Sequence, residues 1–347
     1  MSKNSDNNSP GENGGFPLSL DAIYQHQKPM VQVVLSLVPV MLASVYFFGW
    51  RSAAIMAECV VVGTFVEWLF CRKRGEKVSQ AVLVTALLLG LTLPPTTPFS
   101  VVAVGVVVAI VFGKEVFGGF GRNVYNPALV GRCFIYICFP VAMTSQWLPP
   151  FSGGTGFARW SGPADAITRA TPLTVYKAGE GAANLQNLLL GNVSGSLGET
   201  SAVLILLAGL YLVVKKTANW RIIVACLLGG VAFSALFGWG IGSATVPGPL
   251  YTLLAGGFLF GSVFMATDPV SSPSTDTGRW IYGIAIGGLA VVIRGFSNFP
   301  EGMMFAIIIM NTFVPIGDHY IRKYKKAMRA RKKAAKKKKQ ENEGEKE

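Results

Sequence analysis

The sequence predicts an all-α integral membrane protein with about ten transmembrane helices in two inverted five-helix halves. Three observations lead to this prediction. Of 347 residues, 51% are hydrophobic and 14% charged, a composition too apolar for a soluble domain. Ten apolar segments are long enough, or nearly so, to cross a hydrocarbon core of about 30 Å. Basic residues in the short loops between these segments are distributed asymmetrically.

The ten apolar segments fall into two groups of five. They cover about 30–49, 52–70, 80–93, 101–112, 126–143, 202–214, 222–239, 251–266, 280–293 and 303–316. Several are shorter than the roughly 20 residues of a full crossing. Helices of this kind often begin or end inside the protein, beside a cavity.

The distribution of Lys and Arg orients these spans. If both termini are cytoplasmic, the four short internal loops carry ten basic residues, while the four short external loops carry only Arg51 and Arg294. The positive-inside rule requires this asymmetry. We therefore expect a multi-pass protein of a bacterial inner membrane with both termini in the cytoplasm.

The chain divides into five regions on this basis. Residues 1–27 are expected to be a disordered polar leader, because they lack the charged start and apolar core of a signal peptide. Residues 28–143 and 201–321 form the two halves, and 144–200 form a long external loop rich in Gly and Pro. Residues 322–347 form a basic cytoplasmic tail. Such a run after an apolar segment is more typical of an end held near anionic lipids than of an arm that binds nucleic acid.

A short motif lies in the long external loop, where residues 165–173 read DAITRATPL. It resembles the flavinylation motif Asp-x-x-(Ser/Thr)-Gly-Ala-Thr, at which a flavin transferase attaches FMN to the final threonine through a phosphoester bond. Asp165, Thr168 and Thr171 are in register, and Arg169 stands where glycine is usual. Pro172 favours an extended conformation of Thr171, which presents the hydroxyl outward. An ordinary polar turn is the alternative interpretation.

Three further segments extend the resemblance. They read GGFGRNVYNPALVGR at 118–132, MATDPVS at 265–271 and FPEGMM at 299–304. These look like hallmark stretches of the family that contains NqrB, of the sodium-pumping NADH:quinone oxidoreductase, and RnfD, of the Rnf ion-translocating electron transport complex. The resemblance covers about residues 28–320. The stretch PVAMTS at 140–145 and the modest chain length are more similar to RnfD, and NqrB remains the alternative.

The resemblance implies a membrane component of a redox-driven ion translocase that is not catalytic alone. In such complexes electrons pass through flavins and iron–sulfur centres, and their flow drives Na⁺ or H⁺ outward. The implied partners are the other membrane and peripheral subunits and, during maturation, the flavin transferase. The implied cofactor is FMN on Thr171.

The resemblance also implies a second, non-covalent flavin, riboflavin, near the glycine-rich segment. Its candidate residues are Arg122, Asn123, Asn126 and Arg132, in a donor-rich turn that enters a membrane helix. A tightly packed helix entry is the alternative. A dinucleotide site of the soluble type is excluded, because no strand precedes the glycines.

Acidic residues at membrane depth are candidates for a cation pathway. An ionised carboxylate there costs about 2.5–3.5 kcal/mol on insertion scales, so each needs a partner or a task. The candidates are Glu67, Glu58, Asp268, Glu301 and Asp318. A salt bridge at a helix end is the alternative, and it is favoured for Asp268 and Asp318. Glu67 is the first choice for ion coupling, and a salt bridge to the cluster Arg72–Arg74 is the competing account.

Two other classes of function stay open. Two opposed five-helix halves also describe urea-type solute channels without redox chemistry, and a structural scaffold for partner subunits would tolerate loss of Thr171. The two histidines and five cysteines show no ligand spacing, so no metal site, disulfide framework or catalytic triad is predicted.

Overall fold

The computed structural model describes residues 24–145, 147–160, 170–199, 201–297, 299 and 302–344. Helices make up nearly all the regular structure of these residues, which confirms the predicted all-α class. Two short strands, β1 (Tyr24–Gln25) and β2 (Val78–Ser79), pair in parallel.

The first half begins with a tight helical hairpin. Helices α1 (Lys28–Phe48) and α2 (Trp50–Arg74) are separated only by Gly49, whose φ of 86° lies in the left-handed region. Glycine suits this position for a second reason, because a Cβ here would collide with the carbonyl oxygen of Arg159 from the long loop.

The remaining helices of the first half are shorter. They are α3 (Ala81–Leu91), α4 (Phe99–Val111), α5 (Pro127–Cys138) and α6 (Pro140–Thr144), with a 3₁₀ turn over Glu115–Phe117. The apolar segment 126–143 was predicted as one span and is instead two helices. They meet at Phe139, because Pro140 lacks the amide proton needed to continue α5.

The long loop and the second half contain the other helices. In the loop lie a 3₁₀ segment (Ser152–Ala158), α7 (Pro172–Lys177) and α8 (Leu185–Leu190). The second half comprises α9 (Ala202–Val214), α10 (Trp220–Ser234) with a π-helical extension Ala235–Gly240, α11 (Pro249–Leu254), α12 (Phe258–Phe260) with a π-helical extension Gly261–Met265, α13 (Asp276–Phe296) and α14 (Gly302–Gly344).

Six of the described helices are long and apolar enough to cross a membrane. These spans cover Lys28–Phe48, Trp50–Arg74, Phe99–Phe117, Trp220–Gly240, Asp276–Phe296 and Gly302–Lys332. Three shorter apolar helices, α3, α5 and α9, have 11 to 13 residues each. The remaining predicted span, 251–266, is broken between α11 and α12.

Where these helices are interrupted, backbone carbonyls lack helical hydrogen-bond partners, and two arginines donate to them. Between α11 and α12, Gly256 and Gly257 adopt φ angles of 60° and 66°, and Arg294 donates to the carbonyls of Thr252, Ala255 and Gly256. After α3, Arg51 donates in the same way to the carbonyls of Pro95 (2.9 Å) and Thr97 (2.8 Å). Both arginines are 4% exposed. They therefore satisfy backbone groups that lipid cannot.

Contacts between loops sort the helix ends onto two faces of the bundle. The strand face carries the β1–β2 pair, and its loops meet through Thr217–Gln32, Arg221–Asp276 and Ser274–Asp318. The loop face carries the long loop, which meets other helix ends through Arg159–Trp50, Pro172–Tyr251 and Lys177–Ser297. The loops predicted to be internal lie on the strand face, and those predicted to be external lie on the loop face.

Candidate functional site

Thr171 caps α7 on the loop face. Its backbone is extended, with φ −68° and ψ 156°, as the following proline predicted. The side chain is half-buried, its Oγ1 lies 2.9 Å from Oγ1 of Thr174, and it accepts a hydrogen bond from the Thr174 amide. The other predicted motif residues, Asp165 and Thr168, lie outside the described residues.

The chain beside Thr171 is anchored to the second half. Tyr251 donates a 3.0 Å hydrogen bond to the carbonyl of Pro172, and Leu173 is buried against the α11–α12 break at Gly256. Six residues after Thr171, Lys177 donates to the carbonyl of Ser297 (2.8 Å). Burial lowers the pKa of Lys177, and the nearby Arg294 guanidinium lowers it further.

A cleft on the loop face includes Thr171 in its lining. Trp147, Leu254 and Glu199 also line it. Glu199 joins this cleft to the first half, because its Oε1 lies 3.5 Å from a guanidinium nitrogen of Arg132 in α5. The cleft has a volume of only about 30 Å³, which is too small to enclose a flavin ring, so a planar group attached to Thr171 would extend outside it.

The glycine-rich segment forms the predicted turn on the strand face. Gly118, Gly119 and Gly121 all have φ angles between 86° and 98°, a region that side chains disfavour. Asn126 then caps α5 by accepting from the amide of Ala128 (3.0 Å). Its Nδ2 donates to the carbonyl of Met265 in the second half (3.3 Å), so this residue bridges the two halves.

A cavity of about 830 Å³ lies between the halves beside this turn. Asn123, Asn126, Phe120, Lys114 and Asp268 are among its lining residues. Its size lies within the range of sites for small organic ligands, about 300–1,000 Å³.

The four residues predicted for a second flavin do not form one site. Asn123 and Asn126 share the large cavity, whereas Arg122 lines a separate cavity of about 420 Å³. Arg132 is buried in α5 and contacts Glu199 and Ser196, both from the long loop. Of the four residues, only Asn123 and Asn126 therefore lie together where they could contact one bound flavin.

Glu67 is buried in α2 and forms an ion pair with Lys114, a residue far from it in the sequence. Lys114 Nζ lies 2.5 Å from Glu67 Oε2 and 2.7 Å from Ser79 Oγ. The amide and hydroxyl of Ser79 both donate to Glu67 Oε1, at 3.0 and 2.9 Å. Glu67 and Lys114 are each 1% exposed. The expected partner cluster Arg72–Arg74 is thus replaced by Lys114.

A second ion pair lies beside this one. Arg74 Nη1 is 2.7 Å from Oε2 of the buried Glu115, and Arg74 Nε is 3.0 Å from Glu76. Glu67, Arg74 and Glu115 all line the 420 Å³ cavity. The adjacent Lys114-Glu115 before the glycine run was the available signal for this network, and sequence reasoning overlooked it.

The other acidic candidates have different surroundings. Asp318 accepts hydrogen bonds from the amides and hydroxyls of Ser274 and Thr275, the two residues just before α13, which is consistent with the helix-end alternative. Asp268 accepts from Ser271 Oγ (2.7 Å) and faces the large cavity. Glu58 Oε2 is buried and accepts no hydrogen bond among the described residues. Glu301 lies outside the described residues.

Comparison with known proteins identifies the family. The family model for NQR2, RnfD and RnfE matches residues 21–326. The chain belongs to the NQR2, RnfD, RnfE family. This membership confirms the predicted resemblance and includes both types of protein considered above.

Several curated relatives of this family member are named as the NqrB subunit of the Na⁺-translocating NADH-quinone reductase. The protein of Pseudomonas aeruginosa (strain LESB58) is 43% identical over 273 residues, covering 75% of this chain and 64% of that protein. That of Ectopseudomonas mendocina is 42% identical over 279 residues, covering 77% and 66%. That of Pseudoalteromonas atlantica is 41% identical over 272 residues, with the same coverages of 77% and 66%. The chain thus spans just under two thirds of the length of these relatives.

We predict that Lys114→Met strongly destabilises the protein. The substitution leaves the Glu67 carboxylate buried without its cation, and breaking a buried pair costs about 3–5 kcal/mol. The thermal stability of the detergent-solubilised protein should fall, and the double variant Glu67→Gln/Lys114→Met should recover most of the loss. Lys73→Met removes an exposed lysine from the same face and serves as the control. Equal melting temperatures for Lys114→Met and Lys73→Met would show that the pair contributes nothing.

Proposed function

We propose that the chain is a membrane component of an ion-translocating oxidoreductase and carries FMN on Thr171. The observation that carries the proposal is the placement of Thr171. Its hydroxyl lies at the rim of a cleft on the loop face, in the extended conformation that presents it to an incoming transferase. A solute channel has no use for such a residue, and a pure scaffold would not require it.

The residues around Thr171 have defined roles in this proposal. FMN bound there supplies a group that exchanges one or two electrons. The Thr174 amide, which donates to Thr171 Oγ1, can keep this bond after Oγ1 becomes an ester oxygen. Tyr251 and Lys177 hold the chain on either side of the cap. Trp147 and Glu199 line the small cleft beneath this segment, and the flavin ring would lie outside the cleft on the loop face.

A non-covalent riboflavin is proposed for the large cavity on the strand face. Asn123 and Asn126 supply amide groups at its wall, and Phe120 supplies an aromatic face. Amide donors and acceptors can pair with the edge of a flavin, while apolar walls cover its rings. The two flavins would then lie on opposite faces of the bundle.

We predict that Thr171→Ala removes the covalent flavin alone. The wild-type chain should exceed the bare mass by one FMN less a water and should show in-gel flavin fluorescence, because a phosphoester survives denaturation. Thr171→Ala should lose both signals, while acid-extractable riboflavin remains. Thr174→Ala keeps the acceptor hydroxyl and is the matched control. Fluorescence that persists in denatured Thr171→Ala would overturn the assignment.

The family membership supports two assignments within a complex. RnfD of the Rnf complex is the assignment suggested by the sequence at 140–145. NqrB of the sodium-translocating NADH-quinone reductase has a specific observation in its favour, since the relatives described above carry that name. Both imply other membrane and peripheral subunits as partners, a flavin transferase for maturation, and Na⁺ or H⁺ as the transported ion.

We propose that the ten apolar segments cross a bacterial inner membrane, with the strand face in the cytoplasm. Ten alternating crossings would place successive helix ends on the strand face and the loop face in turn. The contacts described above support this alternation when the broken α11–α12 segment is counted as one crossing. The basic residues at the membrane, beginning with Arg322 and Lys323, would then lie near anionic head groups.

We predict that reporter fusions reveal this orientation. An enzyme active only in the periplasm should be active when fused after Leu148 and inactive when fused after Lys325. The physical reason is the excess of basic residues in the short loops of the strand face. Cytoplasm-specific reporters at the same positions give the complementary control. The reverse pattern would contradict the topology and place Thr171 on the wrong side for external flavinylation.

We propose that acidic residues take part in ion coupling, and Glu67, near the strand face, is the first to test. It lies beside a polar cavity, and its bond to Lys114 can be exchanged for a bound cation only if that lysine moves. Asp268 is the second candidate, because it faces the cavity between the halves. Glu58, Asp318 and Glu301 complete the proposed set.

We predict that Glu67→Gln uncouples ion transport from electron transfer. The neutral amide keeps the shape of the side chain and removes the charge that a cation requires. Because Lys114 is then buried without its anion, less complex should assemble, and the assembled fraction should retain its flavin and part of its electron transfer while ion transport per electron falls. Glu76→Gln, at an exposed acid near the same cavity, is the control. An unchanged ratio of ions to electrons in fully assembled Glu67→Gln complex would remove Glu67 from the mechanism.

A further inference from the structure

The C-terminal helix is much longer than a membrane crossing. Helix α14 continues without interruption from Gly302 to Gly344, a total of 43 residues. At about 1.5 Å per residue it is roughly 64 Å long, about twice the thickness of the hydrocarbon core. Its second half must therefore project beyond the bundle.

The strand face marks where α14 leaves the bundle. Trp220 and Trp280 pack edge to face at this level, in the manner of interfacial aromatic residues. Asp318 is bound by Ser274 at the same level. Arg322 still donates a hydrogen bond to Ser274 Oγ, and the part of α14 from Arg322 onward, which we call the tail helix, therefore begins where α14 leaves the bundle.

An exposed apolar stripe runs along α14 across the point where the tail helix begins. Tyr320, Tyr324 and Met328 follow one another at intervals of four residues, which places them on one side of the helix. They are 64%, 67% and 40% exposed. Together with Thr277 from the start of α13, they line an open groove of about 560 Å³.

Basic side chains border the same groove. Lys325, Arg329 and Lys332 line it beside the stripe. A continuous apolar stripe edged by lysine and arginine matches a protein surface with an apolar patch surrounded by carboxylates.

The distance over which the tail helix extends from the bundle favours a protein, and not a lipid surface, as its binding partner. Attraction to anionic head groups is screened within about 8 Å at physiological salt. Lys332, which lines the groove, lies ten residues and therefore about 15 Å beyond Arg322 along the helix, outside that range. The basic residues between 322 and 332 also occupy several sides of the helix, whereas a helix that lies flat on a membrane has a single apolar face.

We propose that the tail helix is a docking element for an acidic soluble protein of the same complex. The contact surface is the groove formed by Tyr320, Tyr324 and Met328 with its basic border. The proposal rests on the proposed function, since it takes the chain to be one component of a larger assembly. It adds the location of the contact and the chemistry of the partner.

The test compares two pairs of lysines in the assembled complex. Lys325→Gln/Lys332→Gln neutralises two residues that line the groove, and Lys323→Gln/Lys326→Gln neutralises two on other sides of the same helix. Membranes are washed with increasing salt, and the soluble subunits retained per chain are quantified. We expect the groove pair to lower retention of an acidic subunit by about tenfold at a salt concentration that leaves the control pair like wild type. Equal losses from both pairs would overturn the proposal, because they would indicate attraction by overall charge.

A photo-crosslinking side chain identifies the occupant directly. Introduced in place of Tyr324 in cells, it should form a crosslink to an acidic soluble subunit of the complex, and in place of Lys326 it should not. Crosslinks only to lipid, or equal crosslinks from both positions, would contradict the docking surface. Covalent flavin on Thr171 is measured in the same samples, so failure of the docking proposal is distinguishable from failure of the flavin assignment.

Discussion

The architecture depends on hydrogen bonds to backbone carbonyls at places where helices are interrupted. Lipid offers no donors, so a broken helix within a membrane requires a donor from the protein. Arg51 and Arg294 supply it, each with one guanidinium directed at carbonyls of a non-helical turn. These two arginines are also the basic residues that depart from the positive-inside pattern. They are buried and bonded, so they function as structural donors at these turns and carry little weight as orientation signals.

The interrupted helices determine where ligands can be placed. The α11–α12 break lies against Leu173 and Glu199, and it therefore supports the cleft beside Thr171. On the opposite face, Asn126 connects the start of α5 to the end of the second π-helical segment and borders the large cavity. The large cavity thus lies where the two halves of the chain meet, and the Glu199–Arg132 pair connects the cleft beside Thr171 to the first half. A site at such a junction would respond to relative movement of the halves, which suits the proposed link between redox chemistry and transport.

Local features of the sequence predicted local features of the structure. The apolar segments indicated the helices, Pro172 indicated the extended conformation of Thr171, and the glycines at 118–121 indicated a turn with positive φ angles. Pairings between distant residues could not be predicted in this way. Lys114 is 47 residues from Glu67, and Arg132 is 67 positions before Glu199, so no periodic pattern in the sequence connects the members of either pair. For the same reason, closeness in sequence grouped Arg122 and Arg132 with Asn123 and Asn126, although their side chains line different parts of the molecule.

The anchoring of Pro172 to Tyr251 has a consequence for biosynthesis. Tyr251 lies 79 positions after Pro172, so the ribosome completes the loop well before it makes the surface on which the loop rests. In the proposed topology the loop must be exported while α10 and α11 are still absent. During that interval Thr171 belongs to a free segment, and it acquires its ordered surroundings only when the second half enters the membrane. The same threonine is therefore available in two settings. It lies first in an accessible segment that an enzyme can bind, and later it is part of a folded cleft.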